Sequence, residues 1–125
     1  MHSVLIVDDE KIIRLALARI FKKIGCETFE ADSIESGLEF LTSKHCDVVF
    51  CDLRFPGDVS GVKLLESISE QNIKTKVVMM SCAMEEETIS YLSSMGAAKC
   101  LKKPFFQAEC REVLNSLFSD SCAIG

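Results

Sequence analysis

Proline and glycine are scarce in this chain, two and six residues among 125. That scarcity excludes collagen-like, linker-like and disordered readings. No apolar run approaches the ~20 residues that a helical membrane span requires. Strand-like runs such as Val4–Val7 and Val48–Cys51 reach only four residues each. Positive charge is also short: 14 Lys and Arg stand against 19 Asp and Glu, a net of −5. An acidic chain is a poor general nucleic-acid binder, because phosphate contacts need clustered positive charge. No direct nucleic-acid or membrane partner is therefore expected. Met1-His2-Ser3 runs straight into a strand-like segment, without the charged start and long apolar stretch of a signal peptide. A cytoplasmic location is the default expectation.

Cys-x-x-Cys spacing is missing too, although cysteine itself is plentiful. The seven cysteines are Cys26, Cys46, Cys51, Cys82, Cys100, Cys110 and Cys122, and the two histidines, His2 and His45, lie far apart in sequence. Zinc spacing is absent, and reduced, mostly buried thiols are expected. What remains is an ordinary globular composition, 48% apolar and 26% charged. A chain of this length fits one domain and buries roughly 67% of its unfolded surface. The expectation is a single domain over 1–125, with a core over about 3–118 and a frayed tail at Ser119–Gly125.

Periodicity alternates between strand and helix. Val4–Val7 reads as the first strand and ends in Asp8-Asp9-Glu10. Ile13, Leu17, Ile20, Phe21 and Ile24 then mark one helix face, with Gly25 as the stop. Glu27–Ala31 reads as the second strand. Asp32, with Glu35 three residues on, predicts a capping box for a helix running to about Ser43. Val48–Cys51 is the third strand and ends at Asp52, followed by turn chemistry over Arg54–Asp58. A helix is expected over Val62–Gln71, a fourth strand over Val77–Met80 ending at Ser81, and a helix from about Glu85. Ala98–Leu101 is the fifth strand, and Pro104 opens a last helix carrying Leu114, Leu117 and Phe118. Strands one, three and four are apolar on both faces, as in a parallel sheet covered by helices on each side. The fold class is thus α/β, a doubly wound five-stranded sheet.

Open parallel sheets place their sites beyond the carboxyl ends of the strands. Asp8, Asp9, Asp52, Ser81 and the Lys102-Lys103 pair all fall at that edge. If the first and third strands are neighbours, the three carboxylates come close. They then repel unless a cation intervenes, and oxygen ligands suit Mg²⁺. A hydroxyl and a lysine beside a metal hold phosphoryl oxygens, and a carboxylate can be the nucleophile. The residues describe an acidic, Mg²⁺-dependent phosphoryl-acceptor pocket.

At this point the chain, from about Ser3 to Phe118, resembles a receiver domain of two-component response regulators. The resemblance is carried by Val7-Asp8-Asp9-Glu10, Val48–Asp52 with Leu53-Arg54-Phe55-Pro56-Gly57, Met80-Ser81 and Lys103-Pro104-Phe105. It implies a flavodoxin-like fold with strand order 2-1-3-4-5. It also implies that Asp52 is the phosphoacceptor, with Asp9 and Asp52 as direct Mg²⁺ ligands. Asp8 would help through water, and the backbone carbonyl of Arg54 would be a further ligand. Ser81 would be the switch hydroxyl and Lys103, rather than Lys102, the phosphoryl contact, followed by a cis Lys103-Pro104 bond. The implied partners are a sensor histidine kinase or phosphotransfer protein and a downstream target or output domain. A homodimer formed on phosphorylation is a further assembly of that kind. The implied role is a signalling phosphoacceptor rather than an enzyme. Helix 4, strand 5 and helix 5 would form its switch surface, with candidates Ile89, Tyr91, Leu92 and Met95.

Several positions depart from the family pattern. Cys100 stands where an aromatic switch residue is usual, and Cys82 where a smaller residue follows the hydroxyl. The Asp52–Gly61 loop is one residue longer than the common spacing. Arg54 and Ala83 occupy positions that tune phosphoryl lifetime, and the Arg54 side chain is expected to overhang the site. Cys51 and Cys82 flank the pocket, where a redox role competes with plain burial. Rival readings are the isolated receiver of a longer DNA-binding or catalytic regulator and a metal-dependent phosphatase. Leu53-Arg54 argues against the phosphatase, which would carry an acid two residues after the nucleophile.

Overall fold

A computed structural model describes residues 2–118; the tail at Ser119–Gly125, with Cys122, lies outside them. The β-branched runs become strands and the 3.6-residue apolar patterns become helices. In chain order the elements are β1 (Ser3–Val7), α1 (Lys11–Ile24), β2 (Glu27–Ala31), α2 (Ile34–Ser43), β3 (Val48–Asp52), β4 (Arg54–Phe55), β5 (Val59–Ser60), α3 (Val62–Glu70), β6 (Lys76–Ser81), α4 (Glu86–Ser94), β7 (Lys99–Lys102) and α5 (Gln107–Phe118). Five strands form one parallel sheet in the order β2-β1-β3-β6-β7, the expected topology with the small hairpin left out of the count.

The two-residue period of the strands divides the core into two layers. Leu5, Val7, Val49, Cys51, Val77 and Met79 face α2, α3 and α4, meeting Leu41, Leu64, Leu65 and Leu92. Val4, Ile6, Val48, Phe50, Val78 and Met80 face α1 and α5, meeting Leu17, Phe21, Val113 and Leu114. Phe21 and Phe50 anchor the second layer with ring centroids 4.7 Å apart. Both faces of β1, β3 and β6 are covered, which is why these strands carry no alternating polar residues. The chain leaves β1 for β2 on one side and returns as β3 on the other. The carboxyl ends of β1 and β3 therefore open a crevice between helices on opposite faces.

Four local expectations need correction. The capping box of α2 is built by Ser33 and Ser36, not Asp32 and Glu35. Ser33 Oγ accepts from Ser36 N at 3.1 Å, and Ser36 Oγ returns to Ser33 N at 3.2 Å. Ser33 has the extended backbone an N-cap needs, and Asp32 accepts the Ser36 hydroxyl rather than a backbone N–H of the first turn. Pro104 does not open α5. The Lys103-Pro104 bond is cis, Phe105 turns into the core first, and the helix begins at Gln107 with Glu109 Oε1 accepting from Phe106 N at 3.1 Å. The expected turn over Arg54–Asp58 narrows to Pro56–Asp58, because Arg54 and Phe55 form the first strand of a hairpin. Phe55 pairs with Val59 across Pro56-Gly57-Asp58, and Gly57 takes the positive φ (+76°) that follows proline in a type II turn. Finally β7 runs Lys99–Lys102, one residue later than expected, because it registers Lys102 against Ser81.

Candidate functional site

The site residues reach one edge because each closes a strand. Asp8 follows β1, and its backbone N–H extends the β1–β2 ladder to Ala31 O at 3.1 Å. Its Oδ1 accepts from Glu10 N at 2.9 Å, and Arg14 Nη1 donates to its carbonyl at 2.8 Å. Asp8 is fully buried and Asp9, one residue on, is exposed. Asp52 ends β3 in register with Met80, and Leu53 N donates to Met80 O at 2.8 Å. One carboxylate oxygen from each of Asp8, Asp9 and Asp52 lies within 4.8 Å of the others.

Lys103 enters from the far strand. Its backbone N–H donates to Ser81 O at 2.8 Å, which ties the residue after β7 to the end of β6. Its Nζ then lies 2.9 Å from Asp8 Oδ2 and 3.3 Å from Asp52 Oδ1. Lys102 is exposed, so Lys103 is the lysine of the pocket. Ser81 is buried, and its Oγ accepts from Ala83 N at 3.3 Å, which leaves the hydroxyl hydrogen free to donate. Burial pushes the Asp52 carboxyl above its ordinary pKa; the Asp8 charge adds to this and Lys103 opposes it. Burial pulls Lys103 down, but hydrogen bonding and charge from Asp8 and Asp52 outweigh it, so its ammonium is held above its usual value.

Two residues that the sequence reading passed over complete the support. Gly61 opens α3 against the end of β3, donating from its N–H to Leu53 O at 2.7 Å. A Cβ there would strike the Asp52 carbonyl oxygen and lie 2.7 Å from Met79 Cε. Its signal was a glycine immediately before an apolar helix face. Arg14, partly buried, joins the Asp8 carbonyl to Glu30 Oε1 at 3.3 Å; nothing in the α1 pattern distinguished it from a solvated arginine.

The departing positions are placed as follows. Arg54 is exposed and lines a cleft between the β4–β5 hairpin and α4, beside Thr88 and Tyr91. No ion pair joins it to Asp52 among the described residues. Cys82 is exposed beside Lys103 and Phe106. Cys100 packs half-buried against the α2–α4 layer, and burial raises its thiol pKa. Cys51 is fully buried, with its thiol held well above the usual value by burial and by the Asp52 charge; it fills space between β3 and Gly61. On α4, Leu92 is core, whereas Ile89 and Tyr91 are exposed and Met95 packs partly against the core.

The family model described as "Response regulator receiver domain" matches residues 4–115. The chain belongs to the response regulator receiver family. This receiver is 31% identical over 113 residues to the sporulation initiation phosphotransferase F of Bacillus subtilis, covering 90% of each chain. It is 33% identical to the regulatory protein AtoC of Escherichia coli, covering 84% of this chain but 23% of that protein. Among solved structures it superposes on the Francisella response regulator 1452 receiver domain with a TM-score of 0.88 and 27% identity, covering 98% of this chain and all of that one. Relatives thus occur both as chains of about this length and as much longer proteins.

The donor set of the receiver suits a hard divalent cation: three carboxylates, one fully buried, one mostly buried and one exposed. The Cys51 thiol donates to the Asp52 backbone carbonyl at 3.2 Å instead.

Proposed function

We propose that this receiver accepts a phosphoryl group on Asp52 from the phosphohistidine of a sensor kinase or phosphotransfer protein. The observation that carries the reading is Lys103 held between Asp8 and Asp52, with Asp9 open to solvent beside them. In the reaction a carboxylate oxygen of Asp52 forms the new bond to phosphorus, and the phosphorus–nitrogen bond of the donor histidine breaks. Asp9 and Asp52, with the Arg54 carbonyl and Asp8 in support, would hold Mg²⁺. That ion, when bound, offsets charge on the phosphoryl oxygens. Lys103 supplies a fixed positive charge to those oxygens. Ser81 donates its hydroxyl hydrogen to one of them, which draws the β6–α4 loop inward. Burial keeps the Asp52 environment dry and strengthens each of these contacts.

The readout surface is α4–β7–α5. α4 buries one residue fully, Leu92, where α1, α3 and α5 each bury three. Fewer buried anchors make it the helix most easily displaced, so a modest pull at Ser81 shifts its population. Ile89 and Tyr91 are the exposed residues that would change position with it. The downstream target, or an output domain such as longer relatives carry, reads that change, and a phosphorylation-dependent homodimer would use the same face. The chain acts in the cytoplasm as a signalling phosphoacceptor and turns over no external substrate.

The test is Mg²⁺-dependent labelling with acetyl phosphate, followed by intact mass. A gain of one phosphoryl group in the parent and none in Asp52→Asn is expected. Labelling of Asp52→Asn at the parent level would overturn the assignment. Turnover of a phosphomonoester would favour the phosphatase instead.

A further inference from the structure

A wide groove lies away from the switch surface, between α2 and α3, with the β4–β5 hairpin as its end wall. It encloses about 660 Å³. Its apolar lining comes from Ile34 and Leu38 of α2 and from Phe55 and Val59 of the hairpin; Val59 is 39% exposed. Its charged lining is one-sided. Asp9, Asp32, Glu35, Glu66 and Glu70 face a single cation, Lys63. That is a net of −4 in one groove, against −5 for the entire chain. None of these six groups is in an ion pair among the described residues. Lys63, Glu66 and Glu70 follow one another at helical spacing along α3, so the charge forms a rail parallel to the groove.

An apolar strip flanked by unpaired carboxylates is complementary to one kind of partner. α3 spans nine residues, ~13 Å of helix axis, so the groove accommodates about two to three turns of a third helix laid against α2 and α3. We propose that the α2–α3 groove is a docking site for an amphipathic helix of a partner protein, with an apolar ridge flanked by Lys or Arg. Apolar residues of the ridge would meet Leu38, Phe55 and Val59, and the flanking cations would meet Glu35 on one side and Glu66 and Glu70 on the other. Nucleic acid and anionic lipid would be repelled by the same rail. The surface is distinct from the Ser81-linked α4 face and meets the phosphoryl pocket only at Asp9, which the docking contacts do not use, so the proposal stands whether or not Asp52 accepts a phosphoryl group.

The probe is a synthetic Leu/Lys amphipathic helix of about 14 residues, long enough to span the groove. It is titrated into ¹⁵N-labelled protein at 50 mM salt. Amide shifts should concentrate on α2, α3 and the hairpin. Glu66→Lys with Glu70→Lys, both exposed positions, should weaken binding at least tenfold. Lys63→Glu should tighten it severalfold, a gain that misfolding does not produce. A Glu-for-Lys version of the peptide should not bind. Shifts centred on α1 or α4, affinity within twofold in the charge-reversed variant, or equal binding of the acidic peptide would each overturn the proposal.

Discussion

Replacing Asp52 with Asn removes a charge and keeps the shape, so it tests the electrostatics of the pocket directly. An ionised oxygen pair within 4.8 Å repels by ~3.5 kcal/mol or more at an effective dielectric of ~20. The Lys103–Asp52 contact at 3.3 Å attracts by ~5 kcal/mol on the same scale. Asp9, exposed and screened, adds a smaller repulsion, so the Coulomb terms nearly cancel. Burial then decides the sign, and it raises the Asp52 pKa. The ionised pocket is therefore strained without metal. Lys103 keeps its 2.9 Å contact with Asp8 in the variant. Asp52→Asn should stabilise the metal-free fold by about 1–2 kcal/mol, or roughly 3–8 °C in Tm. A raised carboxyl is protonated in both states below about pH 3.9, so the gain is absent there. It grows as pH rises through the folded-state pKa and levels off above it. Mg²⁺ should reverse the ranking. Binding at one hundred times Kd stabilises the parent by ~2.7 kcal/mol, more than the lead of the variant, which has lost a ligand. Calorimetry at pH 3.5, 5 and 7, with EDTA and then with Mg²⁺, measures all of this. A metal-free variant less stable than the parent at pH 7, or equal Mg²⁺ shifts in both, would refute the reasoning.

Gly61→Ala should lower stability by ~2–4 kcal/mol, combining overpacking with a disturbed Gly61–Leu53 bond; chemical denaturation checks it, and a loss under 1 kcal/mol would contradict the close approach to Asp52. Lys103 is held above its usual pKa, so it contributes stability below about pH 10.4 and loses that contribution as pH rises through its folded value. The stability gap between the parent and Lys103→Met should accordingly narrow above about pH 10.4, as read by denaturant midpoints across pH. Cys82 should be the first of the described thiols to react with iodoacetamide at pH 8, since Cys110 is buried with its thiol pushed up to about 12. Peptide mapping decides this, and modification of Cys51 or Cys110 before Cys82 would count against the burial pattern.

Much of the site was legible because it is built from strand ends. A short apolar run fixes where a strand stops, and Asp8, Asp52, Ser81 and Lys103 each sit within two residues of such a stop. Their type suggested the chemistry proposed for the site, and their ordered recurrence pointed to the family. Local capping was read less well: Ser33 took the N-cap from Asp32 because the backbone conformation at residue 33, invisible in composition, selects the cap. The β4–β5 hairpin was missed because two-residue strands leave no periodicity to detect.

By itself, then, the sequence determined the alternation of β and α elements, the two-sided burial of β1, β3 and β6, and the identity of the pocket residues. These follow from local periodicity and side-chain chemistry. Only the tertiary structure decided that Lys103 bridges Asp8 and Asp52 across 95 and 51 residues of chain. Only it showed that Gly61 must lack a side chain, and that most of the net negative charge gathers in one groove. Each depends on which segments the crossovers bring side by side. That placement comes from packing helices on both faces of a sheet, and no short stretch of sequence encodes it.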